Sequence, residues 1–354
     1  MKNRAALIIP ALALLFSLII IPLASPATLE AQSEPFFKGK TIKIVVGFTP
    51  SGFYDRWARA VARYMGKYIP GNPEIIVQNM PGAGSVVAAN YVYSVAKPDG
   101  LTLGMPSANI YMDQLVGREE VKFDVRRFQW IGTQDKRHLL FYIRSDSPYK
   151  SLGDIIKAKE PPKCGETGTT SQGYLLTRIV DEVLGGKLNM VLGYPGGAEI
   201  DLAVEKGEVI CRGMSIDPYF GREPFISWGK KNFVRLLLQT GSKRDARAKD
   251  VPTIYELMDQ YKTPDINRRV VRVILAGAEF GSPLFVAPGT SAERVKILRE
   301  AHAKSMNDPE LVAEANKGKM DMDPSTGEEL QELTKEVMAQ PREVIEQAKK
   351  ITGM

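Results

Sequence analysis

The sequence is poor in the residues that most often carry catalysis or covalent cross-linking. Its 354 residues include two cysteines, Cys164 and Cys211, and two histidines, His138 and His302. Two cysteines are far too few for a disulfide framework. Each lies in a short apolar segment that reads as a strand, so two buried free thiols are the simpler expectation; a single bridge is the alternative for an exported protein. The histidines stand far apart and join no ligand pattern with cysteine or with each other. His302 falls near the apolar face of a helix and is expected in the core. His138 follows Lys136 and Arg137 at the start of a strand, where a cleft position is the alternative to packing. Phosphate and nucleophile motifs are also missing. Gly39-Lys40-Thr41 supplies only the tail of a nucleotide loop, with Glu34 at the first glycine position. Gly82-Ala83-Gly84 approaches a dinucleotide fingerprint, but Val87 occupies its third glycine. No G-x-S-x-G elbow occurs. No catalytic residue, cofactor or metal is therefore expected, and a binder is favoured over an enzyme.

Charge is absent over one long stretch. After Lys2 and Arg4 no ionisable side chain appears until Glu30, and residues 5–21 are almost all aliphatic. Behind two cations at the extreme N-terminus, and followed by Pro22 and small residues, this reads as a secretory signal over residues 1–31. Cleavage is expected after Ala27 or Ala31; an uncleaved anchor is the alternative, and either exports the body. Part of the formal net charge of +6 then belongs to the leader. The remaining Lys and Arg are interleaved with Asp and Glu, so no stripe suited to nucleic acid appears.

What remains has a globular composition, 44% hydrophobic and 25% charged, and is long enough for two cores. Short aliphatic runs at 41–47, 74–78, 101–105, 139–143, 163–166, 189–193, 209–212, 234–239 and 284–287 read as strands. Amphipathic stretches lie between them, as over 55–68, where Trp57, Val61, Tyr64, Met65 and Tyr68 share a helical face. This is the pattern of an α/β fold with mostly parallel sheets. Thr290 with Glu293, and Thr326 with Glu329, have the spacing of capping boxes. Asp308-Pro309 follows the first of these helices, and Pro341 interrupts or kinks the second. The loops that follow the strands are rich in Gly, Ser, Thr, Asn and Pro: GFTPSGFYD, NMPGAGS, PSAN, GETGTTS and GYPGGA. Ligands gather at such strand ends, where backbone amides and helix N-termini attract small anions.

Taken together, these loops resemble those of the tripartite tricarboxylate transporter substrate-binding proteins, the Bug or TctC family. The matching landmarks are GKTIKIVVGF, TPSGFYD, VQNMPGAGS, AKPDGLTLG, GYPGGAE, SKRDARAKDVPTIYE, SPLFVAPGTSAERV and MNDPEL, in the family's order. The resemblance implies a two-lobed, type II-like periplasmic binding protein with two crossing segments, near 136–143 and 233–241. Lobe one would comprise 32–138 plus 240–354, and lobe two 139–239. It also implies a monomeric receptor that captures a small carboxylate and delivers it to one large and one small permease subunit; a ligand sensor is the alternative output and an exported hydrolase a distant one.

Carried over position by position, the first loop supplies Ser51, Gly52, Phe53, Tyr54 and Asp55, with Ser51 where the family commonly has glycine. Asp55 either caps the following helix or orders groups in the cleft. Phe53 and Tyr54 either stack on a planar ligand or wall the cleft. Ser107 and Asn109 match the third-strand loop. Thr167, Gly168, Thr169, Thr170 and Ser171 match the family's helix start in lobe two. Tyr194, Gly196, Gly197 and Ala198 match a Tyr-x-Gly-Ala segment, with Pro195 where lysine is frequent. Asp217 matches loosely a polar residue at the cleft. Few arginines fall in these loops, so the anion is expected to be held by dipoles.

Overall fold

Eleven strands, several of them short aliphatic runs, form among the described residues: β1 Thr41–Val46, β2 Glu74–Asn79, β3 Thr102–Met105, β4 Gln129–Thr133, β5 Leu139–Arg144, β6 Lys163–Gly165, β7 Asn189–Val191, β8 Cys211–Ser215, β9 Val234–Gln239, β10 Pro283–Val286 and β11 Ser325–Thr326. The computed structural model describes residues 34–168, 171–195 and 197–353. The expected leader with Ala27 and Ala31, and the site candidates Thr169, Thr170 and Gly196, lie outside the described residues. No helix among those described is long and apolar enough to cross a membrane.

The strands build two sheets within the unit Pro35–Met354. The first has the order β11-β4-β10-β3-β1-β2, and the second β7-β6-β8-β5-β9. Each has a parallel core, β2-β1-β3 and β7-β6-β8, flanked by antiparallel strands. The sheets are thus more mixed than the strand-helix alternation suggests. The added strands β4, β5, β9 and β10 flank the two passages of the chain between sheets, and β11 comes later in the chain. Residues 134–138 lead from β4 to β5, and the chain returns after β9 through the helix Asp265–Phe280 to β10. The passages are stitched together: Thr240 N donates to Leu139 O at 2.8 Å, and Leu139 N donates to Thr240 Oγ1 at 2.7 Å.

Apolar side chains bury both faces of each sheet. Ile42, Ile44, Trp57, Leu103 and Val286 form one layer on the first sheet. On its other face Phe128 stacks on Phe285 with ring centroids 3.9 Å apart, in a cluster that continues to Phe141, Cys164, Cys211 and Leu238 of the second sheet. Leu140, Tyr142, Phe225 and Trp228 cover the second sheet's far face. The C-terminal helix Arg342–Thr352 belongs to the sequence assigned to lobe one, yet Arg178 Nε from the helix Gln172–Glu182 donates to Ile351 O.

Several local readings change. Cys164 and Cys211 are joined in a disulfide, which replaces the two free thiols. They are register partners on β6 and β8 with Cα atoms 4.4 Å apart, a separation that permits a bridge. The first helix is Phe53–Met65, and Gly66–Tyr68 tightens into a 3₁₀ turn; Tyr64 and Tyr68 pack partly buried against the core as expected, with their hydroxyls donating to Glu314 and Asp308. The helix Ala292–Ser305 is capped by Ser291, one residue beyond the expected Thr290, whose hydroxyl donates to Ala287 O instead. Thr326 and Glu329 do form a capping box, and Asp308 caps the helix that Pro309 opens. The helix Gly327–Met338 ends before Pro341, and a separate helix starts at Arg342.

Candidate ligand-binding site

The loops after β1, β2 and β3 are knitted into one end of the first sheet. Gly47 leaves the room that Ser85 occupies, since any Cβ there would overlap the serine side chain. Ser85 is buried with φ 82°, and its hydroxyl accepts from Ser107 N at 2.8 Å. Tyr54 stacks on Phe48 at 4.3 Å, and its hydroxyl accepts from Ala108 N at 2.9 Å and from Arg137 Nη1 at 3.2 Å. The Arg137 guanidinium lies 4.5 Å from the ring centroids of both Phe53 and Tyr54 and donates to Ser282 Oγ and Asp135 Oδ2. Tyr54 is therefore committed to internal contacts, while Phe53 is exposed.

Asp55 is also fully engaged. Its carboxylate accepts from Ser51 N at 2.8 Å, Asn79 Nδ2 at 2.9 Å and Arg59 Nε at 2.9 Å. Burial raises its pKa, but the hydrogen bonds from Arg59, Asn79 and Ser51 outweigh this and hold it below the ordinary carboxylate range. Asp55 sits in the first turn and reaches back to the amide just before Gly52, the N-cap, so it fixes the loop into the helix. Ser107 Oγ accepts from Asn109 N, and the Asn109 amide oxygen abuts Gly277 of the helix Asp265–Phe280.

On the second sheet a cavity of about 250 Å³ opens at the ends of β6 and β8. Thr167 and Ser171 line it, as do Glu166, Arg212, Ser215 and Arg222, which sequence reasoning missed. Ser171 caps the helix Gln172–Glu182, accepting from Tyr174 N at 3.1 Å. The helix start can approach β8 because two glycines meet there. A Cβ on Gly173 would overlap Gly213 O and stand 2.7 Å from Glu166 Oε2, and one on Gly213 would stand 2.5 Å from Gly173 O. Glu166 is 2% exposed. Burial raises its pKa to about 7, against hydrogen bonds from Thr177 and Gly213 and the charge of Arg212.

Two guanidinium groups, Arg212 and Arg222, stand in this cavity beside the loop dipoles. Arg212 pairs with the buried Asp201 and donates to Gly197 O at 3.0 Å, while its Nε is buried without a partner. Arg222 reaches Asp201 only at 3.4 Å and is 43% exposed along its side chain. The cavity takes none of its lining from Gly168, Tyr194, Gly197 or Ala198, nor from the loops of the first sheet. Tyr194 instead packs across Gly165. Asp217, two residues past Ser215, accepts from Arg247 Nη2 at 2.8 Å, and Arg247 also reaches Asp321 at 3.4 Å. Burial and the neighbouring Asp321 carboxylate raise the Asp217 pKa to about 7, opposed by Arg247. His302 is buried beside Gln134, its pKa lowered to about 4 by burial, and is a core histidine. His138 Nε2 lies 3.8 Å from Asp323 in the segment between sheets.

Two mixed sheets with polar loops at their strand ends give the architecture of an α/β protein that binds small molecules at strand ends. Residues 57–349 match the family described as tripartite tricarboxylate transporter family receptor, TctC. A relative from Cupriavidus necator, the UPF0065 protein in the gbd 5′ region, is 31% identical over 308 residues, covering 85% of this chain and 84% of that protein. A TctC solute-binding protein from Polaromonas shares the fold with a TM-score of 0.70 at 20% identity, covering 87% of this chain and 99% of that one. MatC from Rhodopseudomonas palustris with bound malate matches at a TM-score of 0.53 and 19% identity, covering 89% of this chain and 100% of its own. A second R. palustris protein, solved with adipate, matches at 0.54 and 20%, covering 89% and 98%. The chain belongs to the TctC family of periplasmic solute-binding proteins, which are not enzymes.

Proposed function

We propose that this protein captures a small organic carboxylate, dicarboxylates first, and hands it to the large and small membrane subunits of a tripartite tricarboxylate transporter. The observation that carries this reading is the cavity at the ends of β6 and β8, where Arg212, Arg222, three hydroxyl residues and a helix start converge. Such a combination favours an anion. The malate and adipate of the two R. palustris proteins are both dicarboxylates. In this reading residues 139–239 form one lobe and 32–138 with 240–354 the other. Ser51, Gly52, Phe53, Tyr54, Asp55, Ser107 and Asn109 close from the first lobe; Thr167, Gly168, Thr169, Thr170, Ser171, Tyr194, Gly196, Gly197, Ala198 and Asp217 belong to the second. The N-terminal apolar stretch exports the chain to the periplasm, where it acts as a monomer.

Thermal-shift and calorimetric titration of the exported protein with succinate, malate, adipate, citrate and benzoate tests the reading. A saturable acid should raise the melting temperature with concentration, as mass action requires. No shift and no heat with any of these acids would overturn it.

A further inference from the structure

Glu166 is a carboxyl group on the floor of a cavity that is otherwise arranged to receive an anion. It sits beside Thr167 and Ser171, and Arg212 and Arg222 line the same volume. An ionised glutamate there would repel the ligand, so its presence needs a physical account. Its Oε1 accepts from Thr177 Oγ1 at 2.7 Å and from Gly213 N at 3.4 Å, and the Ser171 hydroxyl also hydrogen-bonds the carboxyl group. Oε2 stands beside Gly173, in the space that a side chain at that position would fill.

Resting on the carboxylate-binding role proposed above, we infer that Glu166 is the residue that reads the ligand's carboxylate, as a neutral acid that donates a hydrogen bond to it. The proton comes from solvent and stays on Glu166 while the anion is bound, so capture of one carboxylate takes up a proton. Its surroundings support this. The helix Gln172–Glu182 offers Thr177 and the capping Ser171, both uncharged hydroxyls. From β8 comes Arg212, whose charge is shared with Asp201 of the helix Gly197–Lys206. Tyr142 of β5 is buried and neutral, and Arg222 beyond the helix Ile216–Gly221 also touches Asp201. Among the described residues Arg212, partly compensated by Asp201, is the cation that acts on Glu166, and burial brings the Glu166 titration to about 7. Pairing a carboxylic acid with a carboxylate removes the like-charge repulsion, which otherwise forbids two ionised carboxylates in one small site.

The test is calorimetric titration of the full exported protein with malate and with adipate between about pH 6.5 and pH 8.5, above the range in which the acids themselves titrate. Buffers of different ionisation enthalpy report proton uptake directly. The expected result is a Kd that rises toward about tenfold per pH unit above 7, with uptake approaching one proton at the alkaline end. Glu166→Gln, a permanently neutral isostere, should bind at the affinity of the wild type at low pH, with no pH dependence and no uptake. A wild-type Kd that stays flat across the range overturns the inference while leaving the binding role intact. So does an equal slope in the Glu166→Gln variant. Absence of binding by either acid at every pH overturns the binding role itself and the inference with it.

Discussion

Asp217 shares the guanidinium of Arg247 with Asp321, although the first follows a strand of the second sheet and the last precedes a strand of the first. The cluster therefore links the two sheets directly, apart from the covalent passages of the chain.

Stability should fall as this cluster ionises. Asp217 has a pKa raised to about 7, above its unfolded value, so its contribution is full in acid and is lost as pH rises through about 7. Glu166 titrates in the same window and acts in the same direction. Between about pH 4 and 6.5 the depressed His302 pKa acts in the opposite direction, so the decline in melting temperature should show between about pH 6.5 and pH 8. Asp217→Asn should remove part of that decline and the double variant with Glu166→Gln most of it. An unchanged slope in the double variant would exclude both groups as its source.

The Cys164–Cys211 bridge closes a sequence separation of 47 residues. Loss of such a link typically costs about 2–4 kcal/mol. The exported protein should show no free thiol under denaturant, and Cys164→Ala with Cys211→Ala should lower the urea midpoint accordingly. Free thiols in the natively exported protein would contradict the bridge.

Arg222 has a weaker internal commitment than Arg212: it approaches Asp201 at 3.4 Å and Glu223 O at 3.3 Å and lies over the Phe225 ring, with an exposed side chain. A hydrogen bond to a charged group contributes about 1.5–3 kcal/mol. Arg222→Ala should weaken dicarboxylate binding about tenfold or more, with the melting temperature of the free protein almost unmoved.

Arg137 is the reverse case. It pairs with the buried Asp135, and removing one partner of a buried pair costs about 3–5 kcal/mol. Arg137→Met should show this in chemical denaturation. Arg137→Lys should recover little, because a point charge cannot reach Asp135, Ser282 and Tyr54 together as the planar guanidinium does.

Local signals were readable in the sequence where the physics is local. The aliphatic runs of β1, β3 and β9, the Thr326–Glu329 box and the core position of His302 all follow from residues within one or two turns of each other. β4 was not readable: Gln129–Thr133 contains Gly132 and lacks alternation, and its partners β10 and β11 lie far along the chain. The disulfide depended on the register of two strands separated by two helices and a third strand. Glu166 looked like one more polar residue in a glycine-rich loop. Its burial is imposed by β8, which reaches it only because of Gly213. Arg212 and Arg222 were likewise invisible as cavity residues until β8 and the following turn were placed beside the start of the helix Gln172–Glu182.

The contact between Gly173 and Gly213 makes these two positions interdependent. Each occupies the space that the other's side chain would need, so neither can be substituted first without driving β8 away from the helix. Attempts to retune ligand choice by randomising the cavity should hold both fixed and vary Thr167, Ser215 and Arg222, whose side chains reach the same volume from walls that can change one at a time.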